Sequence, residues 1–340
     1  MARRCYVLGA GFSKAYGLPL AKELTARVLK YRDDRGAELG FPRGTFQQQR
    51  DLLRHLFPHC DLETSWPDFE ELITVLDEWN NYRMGVHKKG DAFVRSFKDS
   101  LLRALYNVLS EQVDAARKAN GLSVVRSFVQ RVHDEQSTIV CFNWDLLVEV
   151  AAQDIGMGIE YQKETIKDGI YVAKPHGSLN LAELPEQEYE KNKHAINVLP
   201  RDMKIEWRHE QTKTLVLRIQ NPANDPKGIV YTFGPIVIPP TARKTYQSPW
   251  INYQWHFALD MVRNADEVVI IGYSLPTTDI RPRLLLQFAR FRRNRLIPIR
   301  LIDPRAEDLR DHFEGVVGSP LEIISQPWQS GTNWGATLDT

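Results

Sequence analysis

Four short apolar runs, each followed at once by small or polar residues, constrain the fold of this chain most. The first run begins at Cys5 and leads into Gly9–Ser13, after which apolar residues recur at helical spacing. The other three runs end in Asn143–Asp145, Gly272–Ser274 and Asp303. Because parallel strands end at one edge of a sheet, we expect the four clusters to line one crevice. The pattern predicts an α/β fold, a Rossmann-like parallel sheet with helices on both faces.

The spacing of apolar residues between the first two runs predicts a large helical insertion, at about residues 36–119. A second segment, about 181–229, is polar and punctuated by proline and asparagine, which predicts a small irregular insertion with a hairpin around Thr214–Ile219. The Rossmann-like core then comprises about residues 1–35, 120–180 and 230–315.

Composition excludes several classes of protein. Lys and Arg number 44 and Asp and Glu 43, so a net charge of +1 gives no chain-wide attraction to nucleic acid or anionic membrane. No apolar run approaches the roughly 18 residues of a membrane span. Three separated cysteines without a C-x-x-C pair favour neither disulfides nor a zinc ribbon, and Pro58 interrupts the metal-like spacing of His55 and His59. We expect a cytoplasmic protein without a metal.

Two glycine-containing turns are candidate phosphate sites. Gly9-Ala10-Gly11 after a strand lets the backbone approach a pyrophosphate, although Lys14 departs from the full G-x-G-x-x-G pattern and a turn without a ligand is the alternative. The run from Gly272 through Ser274 is not a nucleophile elbow, because Pro276 stands where that motif needs glycine. Backbone and hydroxyl donors for a phosphate fit it better.

Five polar or aromatic residues at the ends of runs are candidate ligands or catalytic groups. Asn143 can orient a water or a ribose hydroxyl, and Trp144 offers a flat face. Asp145 and Asp303 can bind hydroxyls or simply cap the helices that follow them. His176, in a Pro-His-Gly-Ser turn, can transfer a proton near neutral pH or be an ordinary surface residue.

Residues 281–295 contain six arginines. Leu284, Leu285 and Phe288 recur there at helical spacing, which predicts a solvated amphipathic helix. A contact with nucleic acid or protein is the alternative.

Taken in chain order, these motifs resemble the sirtuin-like family, especially its prokaryotic antiviral-defence members that lack the zinc module. The resemblance runs from residue 5 to about 305 and rests on four motifs in family order. They are Gly9–Ser13 with Gly17–Pro19, Phe142–Asp145, Lys174–Ser178, and Gly272–Pro276 with Thr278 and Asp279.

The resemblance implies that the chain binds NAD as a substrate, with Asn143 and His176 as catalytic residues. Protein deacylases of the family carry a four-cysteine zinc module and an Asp-Phe-Arg step, where this chain has Leu20-Ala-Lys22. We therefore expect an NAD glycohydrolase, a defence effector that depletes NAD. The residues implied to bind NAD are Gly9, Ala10, Gly11, Phe12, Ser13, Trp144, Asp145, Gly272, Ser274 and Asp303.

An enzyme that destroys NAD constitutively would kill its own cell, so we expect restraint by a homo-oligomer or by a separate activating defence protein. Three alternatives stay open. The chain can be a sensor that binds NAD or ADP-ribose without turnover, a protein deacylase, or a structural or nucleic-acid-associated subunit.

Overall fold

The apolar runs form strands, as expected for segments covered on both faces. The computed structural model describes residues 3–35, 45–82, 88–119, 121–163, 168–196, 203–219, 235–238, 248–290, 297–318 and 321–328. The strands are β1 (Arg4–Leu8), β2 (Thr138–Cys141), β3 (Gly158–Glu160), β4 (Gly169–Ala173), β5 (Gly177–Ser178), β6 (Leu181–Pro185), β7 (Met203–His209), β8 (Thr214–Ile219), β9 (Ile236–Val237), β10 (Glu267–Ile271), β11 (Ile299–Ile302) and β12 (Leu321–Ile324).

Helices follow most of the strands of the main sheet, as in other α/β folds. They are α1 (Ala10–Lys14), α2 (Ala21–Arg35), α3 (Thr45–Leu56), α4 (Phe69–Tyr82), α5 (Lys88–Lys118), α6 (Ser123–Asp134), α7 (Leu147–Asp154), α8 (Glu186–Ile196), α9 (Pro249–Asn264), α10 (Ile280–Arg290) and α11 (Ala306–Val317).

The main sheet has seven parallel strands in the order β12-β11-β10-β1-β2-β4-β3. Strand order reverses at β1, because β2 lies on one side of it and β10 on the other. In open α/β sheets the crevice beyond the carboxyl ends of the strands at such a reversal is where ligands bind. The clusters that follow β1, β2, β10 and β11 therefore share one edge of the sheet, as predicted.

Helices cover both faces of this sheet. Tyr6 lies in register with Ile139, which pairs with Val172, so these side chains point to one face. The ring of Tyr6 contacts Phe128 of α6, with centroids 5.0 Å apart. Successive strand residues point to opposite faces, and Tyr171 contacts Phe257 of α9. The predicted Rossmann-like α/β fold is confirmed.

The segment between β1 and β2 is helical, and its helices α4 and α5 pack against α2 as well as against each other. Arg32 of α2 is fully buried there, with its guanidinium 4.9 Å from the ring centroid of Phe46 and 5.2 Å from that of Phe97. Asp33 provides its counter-charge at 2.7 Å. α2 therefore packs as part of the helical segment.

Two predicted segments gain detail in the structure. The described part of the insertion predicted as irregular forms an antiparallel sheet, β6-β8-β7, in which β7 and β8 form a hairpin that includes the predicted Thr214–Ile219. The predicted amphipathic helix forms as α10. Its residues Leu285 and Leu286 face the core, whereas Leu284 and Phe288 are 41% and 52% exposed.

Candidate functional site

The site lies at the carboxyl edge of the sheet, where the turn after β2 meets the turn after β4. β2 pairs directly with β4, so Asn143 and His176 follow neighbouring strands. The ring centroids of Phe142 and His176 are 4.9 Å apart, and the amide of Leu179 donates to the carbonyl of Trp144 at 3.1 Å. The two residues predicted to be catalytic are thus brought together.

The amide group of Asn143 is fixed by the loop after β1. Its Nδ2 atom donates to the carbonyl oxygen of Gly9 at 2.8 Å and to the hydroxyl of Ser13 at 2.9 Å. A carbonyl oxygen only accepts hydrogen bonds, so the amide nitrogen must face Gly9. Both hydrogens of Nδ2 are then used, and Asn143 meets a ligand through Oδ1, as an acceptor.

Ser13 and Asp145 extend the hydrogen-bond network of Asn143 into the protein interior. Both side chains are buried, and the hydroxyl of Ser13 hydrogen-bonds to the carboxylate of Asp145. The Oδ1 atom of Asp145 also accepts from the amide of Leu147 at the start of α7, at 3.0 Å. Burial raises the pKa of Asp145, while Lys174 and these hydrogen bonds oppose the shift. Ser13 and Asp145 thus orient Asn143 and cap a helix; whether they also touch NAD stays a prediction.

His176 is paired with a buried carboxylate. Its Nε2 atom lies 3.4 Å from Oδ1 of Asp279, and the two side chains are 3% and 1% exposed. The hydroxyl of Tyr273 donates to Oδ2 of Asp279 at 2.5 Å. Burial, together with Asp279, raises the pKa of Tyr273 well above its ordinary value, so the phenol keeps its proton. The carboxylate of Asp279 thus faces Nε2 of His176 and is held by Tyr273.

Aromatic rings surround this pair. Besides Phe142, Trp255 of α9 lies with its ring centroid 5.7 Å from that of His176. Tyr273 and Phe142 are 4.9 Å apart by the same measure. Apolar walls around a His–Asp pair exclude water and strengthen the electrostatic interaction between the two residues.

The glycines after β1 pack against the loop after β10. The amide of Gly11 donates to the carbonyl oxygen of Gly272 at 2.7 Å. Gly272 has a φ of +60°, and a Cβ atom there would lie 2.3 Å from the main-chain nitrogen of Phe12. These glycines allow two loops to meet at the point where strand order reverses. Their predicted contact with a pyrophosphate stays a prediction.

Phe12 and Trp144, two aromatic residues implied to bind NAD, are buried against the rest of the protein. The ring of Phe12 stacks on Trp328, with centroids 4.2 Å apart, and its carbonyl oxygen accepts from Nε1 of that tryptophan. Trp144 contacts Phe69 of α4, with centroids 6.2 Å apart. The helical segment therefore reaches the turn that carries Asn143.

The remaining predicted ligands differ in accessibility. Ala10 is exposed and Ser274 is half-buried, so both are open to a molecule at this edge. Asp303 is buried, and its Oδ1 atom accepts from the amide of Arg305 at 2.8 Å, just before α11. This bond lies in the turn before the helix. The alternative that Asp303 caps the helix is wrong, because the N-cap is Arg305 and the helix begins at Ala306. The predicted ribose contact of Asp303 stays a prediction.

Sequence reasoning assigned no role to three residues that the structure places in or beside the site: Asp279, Tyr273 and Lys174. Asp279 and Tyr273 lie in the segment after β10, far along the chain from His176. No spacing rule indicates that the carboxylate of Asp279 pairs with His176. A lysine that directly follows an apolar strand and precedes the Pro-His-Gly turn is a local signal for Lys174.

Among the described residues, no group of three or more His, Cys, Asp or Glu side chains is placed to hold a metal ion. α3 ends at Leu56, so His55 and His59 do not share a helix. No helix in the described ranges combines the length and hydropathy that a membrane span requires.

No protein-family model matches the sequence, and a search of curated proteins gave no match. Among solved structures, a chain described as "Structural Basis for the Mechanism and Regulation of Sir2 Enzymes" is similar over 88% of this chain and 81% of that chain. The sequence identity is 12% and the TM-score 0.35. A likeness this distant carries no information about activity or ligand.

Proposed function

We propose that the protein is an NAD glycohydrolase, which cleaves NAD to nicotinamide and ADP-ribose. The observation that carries the proposal is the buried His176–Asp279 pair beside Asn143, at the edge of a Rossmann-like sheet where strand order reverses. Sheets of this kind bind nucleotides at that edge. The accessible Ala10 and Ser274 belong to the two loops that meet there.

The proposed reaction needs a base but no general acid, because nicotinamide leaves a cationic ring as a neutral molecule. The barrier lies in forming an oxocarbenium-like ribose and in presenting water to it. Oδ1 of Asn143 accepts a hydrogen bond from that water or from a ribose hydroxyl. His176 takes the proton of the water, and Asp279 stabilises the imidazolium that forms. A positioned base contributes about 10²- to 10⁴-fold to the rate.

Electrostatic positioning accounts for the rest of the acceleration in this proposal. Asn143 presents an acceptor atom to the ligand, and Asp279 adds a buried negative charge beside His176. Acceptors and negative charge stabilise a transition state in which the ribose becomes positive. The rings of Phe142 and Trp255 keep bulk water away from His176.

The test is to incubate the purified protein with NAD and to measure nicotinamide by chromatography. We expect release by the wild type and its loss in Asn143→Ala and His176→Ala. His133→Ala is the matched control, because that histidine lies on α6 away from the site and should leave the rate unchanged. Equal release by the wild type and both site variants would contradict the assigned roles.

The same experiment separates the alternatives. Binding of ADP-ribose in calorimetry without release of nicotinamide, at every protein concentration tested, indicates a sensor. Consumption of NAD only when an acylated peptide is present indicates a deacylase. Either result would reject the glycohydrolase.

We also propose that the activity is a cytoplasmic antiviral-defence response restrained in the resting cell. Restraint by self-association predicts a specific activity that changes on dilution, and restraint by a separate defence protein predicts dependence on co-expression. Full activity at every dilution without a partner would exclude both mechanisms.

A further inference from the structure

A buried lysine joins the two turns of the site. Lys174 follows β4 directly, lies two residues before His176 and is fully buried. Its Nζ atom donates to the main-chain carbonyl oxygen of Asp145 at 2.8 Å and lies 3.2 Å from Oε1 of Glu149. The side chain thus starts in the turn that carries His176 and ends in the turn that carries Asn143.

The main chain of Lys174 also fixes the histidine turn. Its amide donates to Oε1 of Gln254 on α9 at 2.8 Å, and its carbonyl oxygen accepts from the amide of Gly177 at 2.9 Å. The second bond closes the turn around His176. The position of Lys174 therefore sets where that turn begins.

The ammonium group is charged at neutral pH. Burial lowers the pKa of Lys174, but the neighbouring acidic groups more than offset it, so the net shift is upward. A buried cation without partners strongly destabilises a protein. A buried ion pair, however, often contributes no more to the free energy of unfolding than apolar side chains of similar volume would. Stability alone therefore does not account for a charged group here.

We propose that Lys174 is a positioning residue, whose ammonium holds the Asn143 turn and the His176 turn in the relative placement that the reaction requires. The inference rests on the proposed function. Lys174 does not touch substrate; it acts through the carbonyl oxygen of Asp145 and through the turn of His176. Misplacement of reacting groups by about 1 Å can reduce a rate about 100-fold.

The test removes both members of the Lys174–Glu149 ion pair, so that neither of the two is left buried without the other. The double variant Lys174→Met, Glu149→Gln keeps the side-chain volumes, and Tyr161 still donates to residue 149. The matched control is Arg4→Met, Glu135→Gln, which removes a buried pair with a 2.8 Å contact near the amino ends of the strands. We expect kcat for nicotinamide release to fall about 100-fold in the Lys174 double variant, with little change in KM. The control should lose stability but retain kcat.

Hydrogen exchange followed by mass spectrometry gives a readout that does not require activity. We expect faster exchange in peptides covering residues 143–147 and 174–179 of the Lys174 double variant, and unchanged exchange there in the control. Unchanged exchange of both peptides overturns the proposal whatever the activity, and so does retention of the wild-type kcat. If the wild type releases no nicotinamide, the proposed function fails while the exchange experiment still decides the role of Lys174.

Discussion

Replacement of Asp279 by asparagine tests the His176–Asp279 pair directly. The two side chains are 3.4 Å apart and almost fully buried, so solvent screens their interaction little. At an effective dielectric constant of about 20, opposite unit charges at this distance attract by about 5 kcal/mol. Desolvation of both groups offsets much of this, and partners this close commonly shift a titration by about 1–3 pH units, worth about 1.4–4 kcal/mol.

The direction of the effect follows from which form the carboxylate stabilises. Asp279 stabilises the imidazolium that forms when His176 takes the proton of the water, and asparagine does not. A loss of about 1.4–4 kcal/mol of this stabilisation lowers the rate about 10- to 1,000-fold. At neutral pH we expect kcat to fall, by at most the roughly 10²- to 10⁴-fold that a positioned base contributes.

The assay is nicotinamide release at about pH 7, with Tyr273→Phe as a comparison. Phenylalanine removes the 2.5 Å hydrogen bond to Asp279 but keeps the ring and the carboxylate, so we expect a smaller loss of kcat. A kcat of Asp279→Asn near that of the wild type would refute the assignment of His176 as a base supported by Asp279.

Three further predictions concern stability and reactivity. Gly272→Ala should lower the free energy of unfolding by about 1–3 kcal/mol more than Gly156→Ala does. Both glycines have a positive φ, but of the two only Gly272 has no space for a Cβ atom. Equal losses of stability in urea denaturation would contradict this. Arg4→Met should cost about 1–3 kcal/mol, because it removes one buried partner of Glu135 and Glu267, which keep contacts with Arg131 and Arg300. The 68% exposed side chain of Arg305 should be replaceable by methionine at almost no cost. All three cysteines are buried and burial raises the pKa of each thiol, so a thiol reagent at about pH 8 should label none rapidly in the folded protein and all after denaturation.

The edge of the sheet was predictable because local patterns determine it. An uninterrupted apolar run such as Val268–Ile271 has few stable alternatives to a buried strand, and the residue that follows a parallel strand lies at the carboxyl edge by necessity. The position of Asn143 at this edge was predicted in this way, whereas His176 was predicted from its turn and from the family resemblance. The pairing of β2 with β4 in the structure shows that Asn143 and His176 follow neighbouring strands.

The partners of these residues were not predictable by the same means. The contact between His176 and Asp279 depends on how the loop after β10 folds back, which spacing in one sequence does not encode. The hydrogen-bond partners of the Ser13 side chain were not predictable either. Ser13 was predicted to bind NAD, which stays a prediction, and the sequence did not indicate that its hydroxyl connects Asn143 to Asp145. A buried carboxylate and a buried amide need such hydrogen-bond partners.

The direction of these hydrogen bonds constrains the chemistry more than the identity of the residues does. Asn143 uses both its donors on Gly9 and Ser13, so only its acceptor oxygen is left for a ligand. A tetrahedral oxyanion needs donors, and Asn143 oriented in this way supplies none. A water or hydroxyl group has protons to give to Asn143 and to His176, and a ribose that becomes positive is stabilised by acceptors and by Asp279. The geometry at Asn143 therefore favours cleavage through a cationic sugar over acyl transfer.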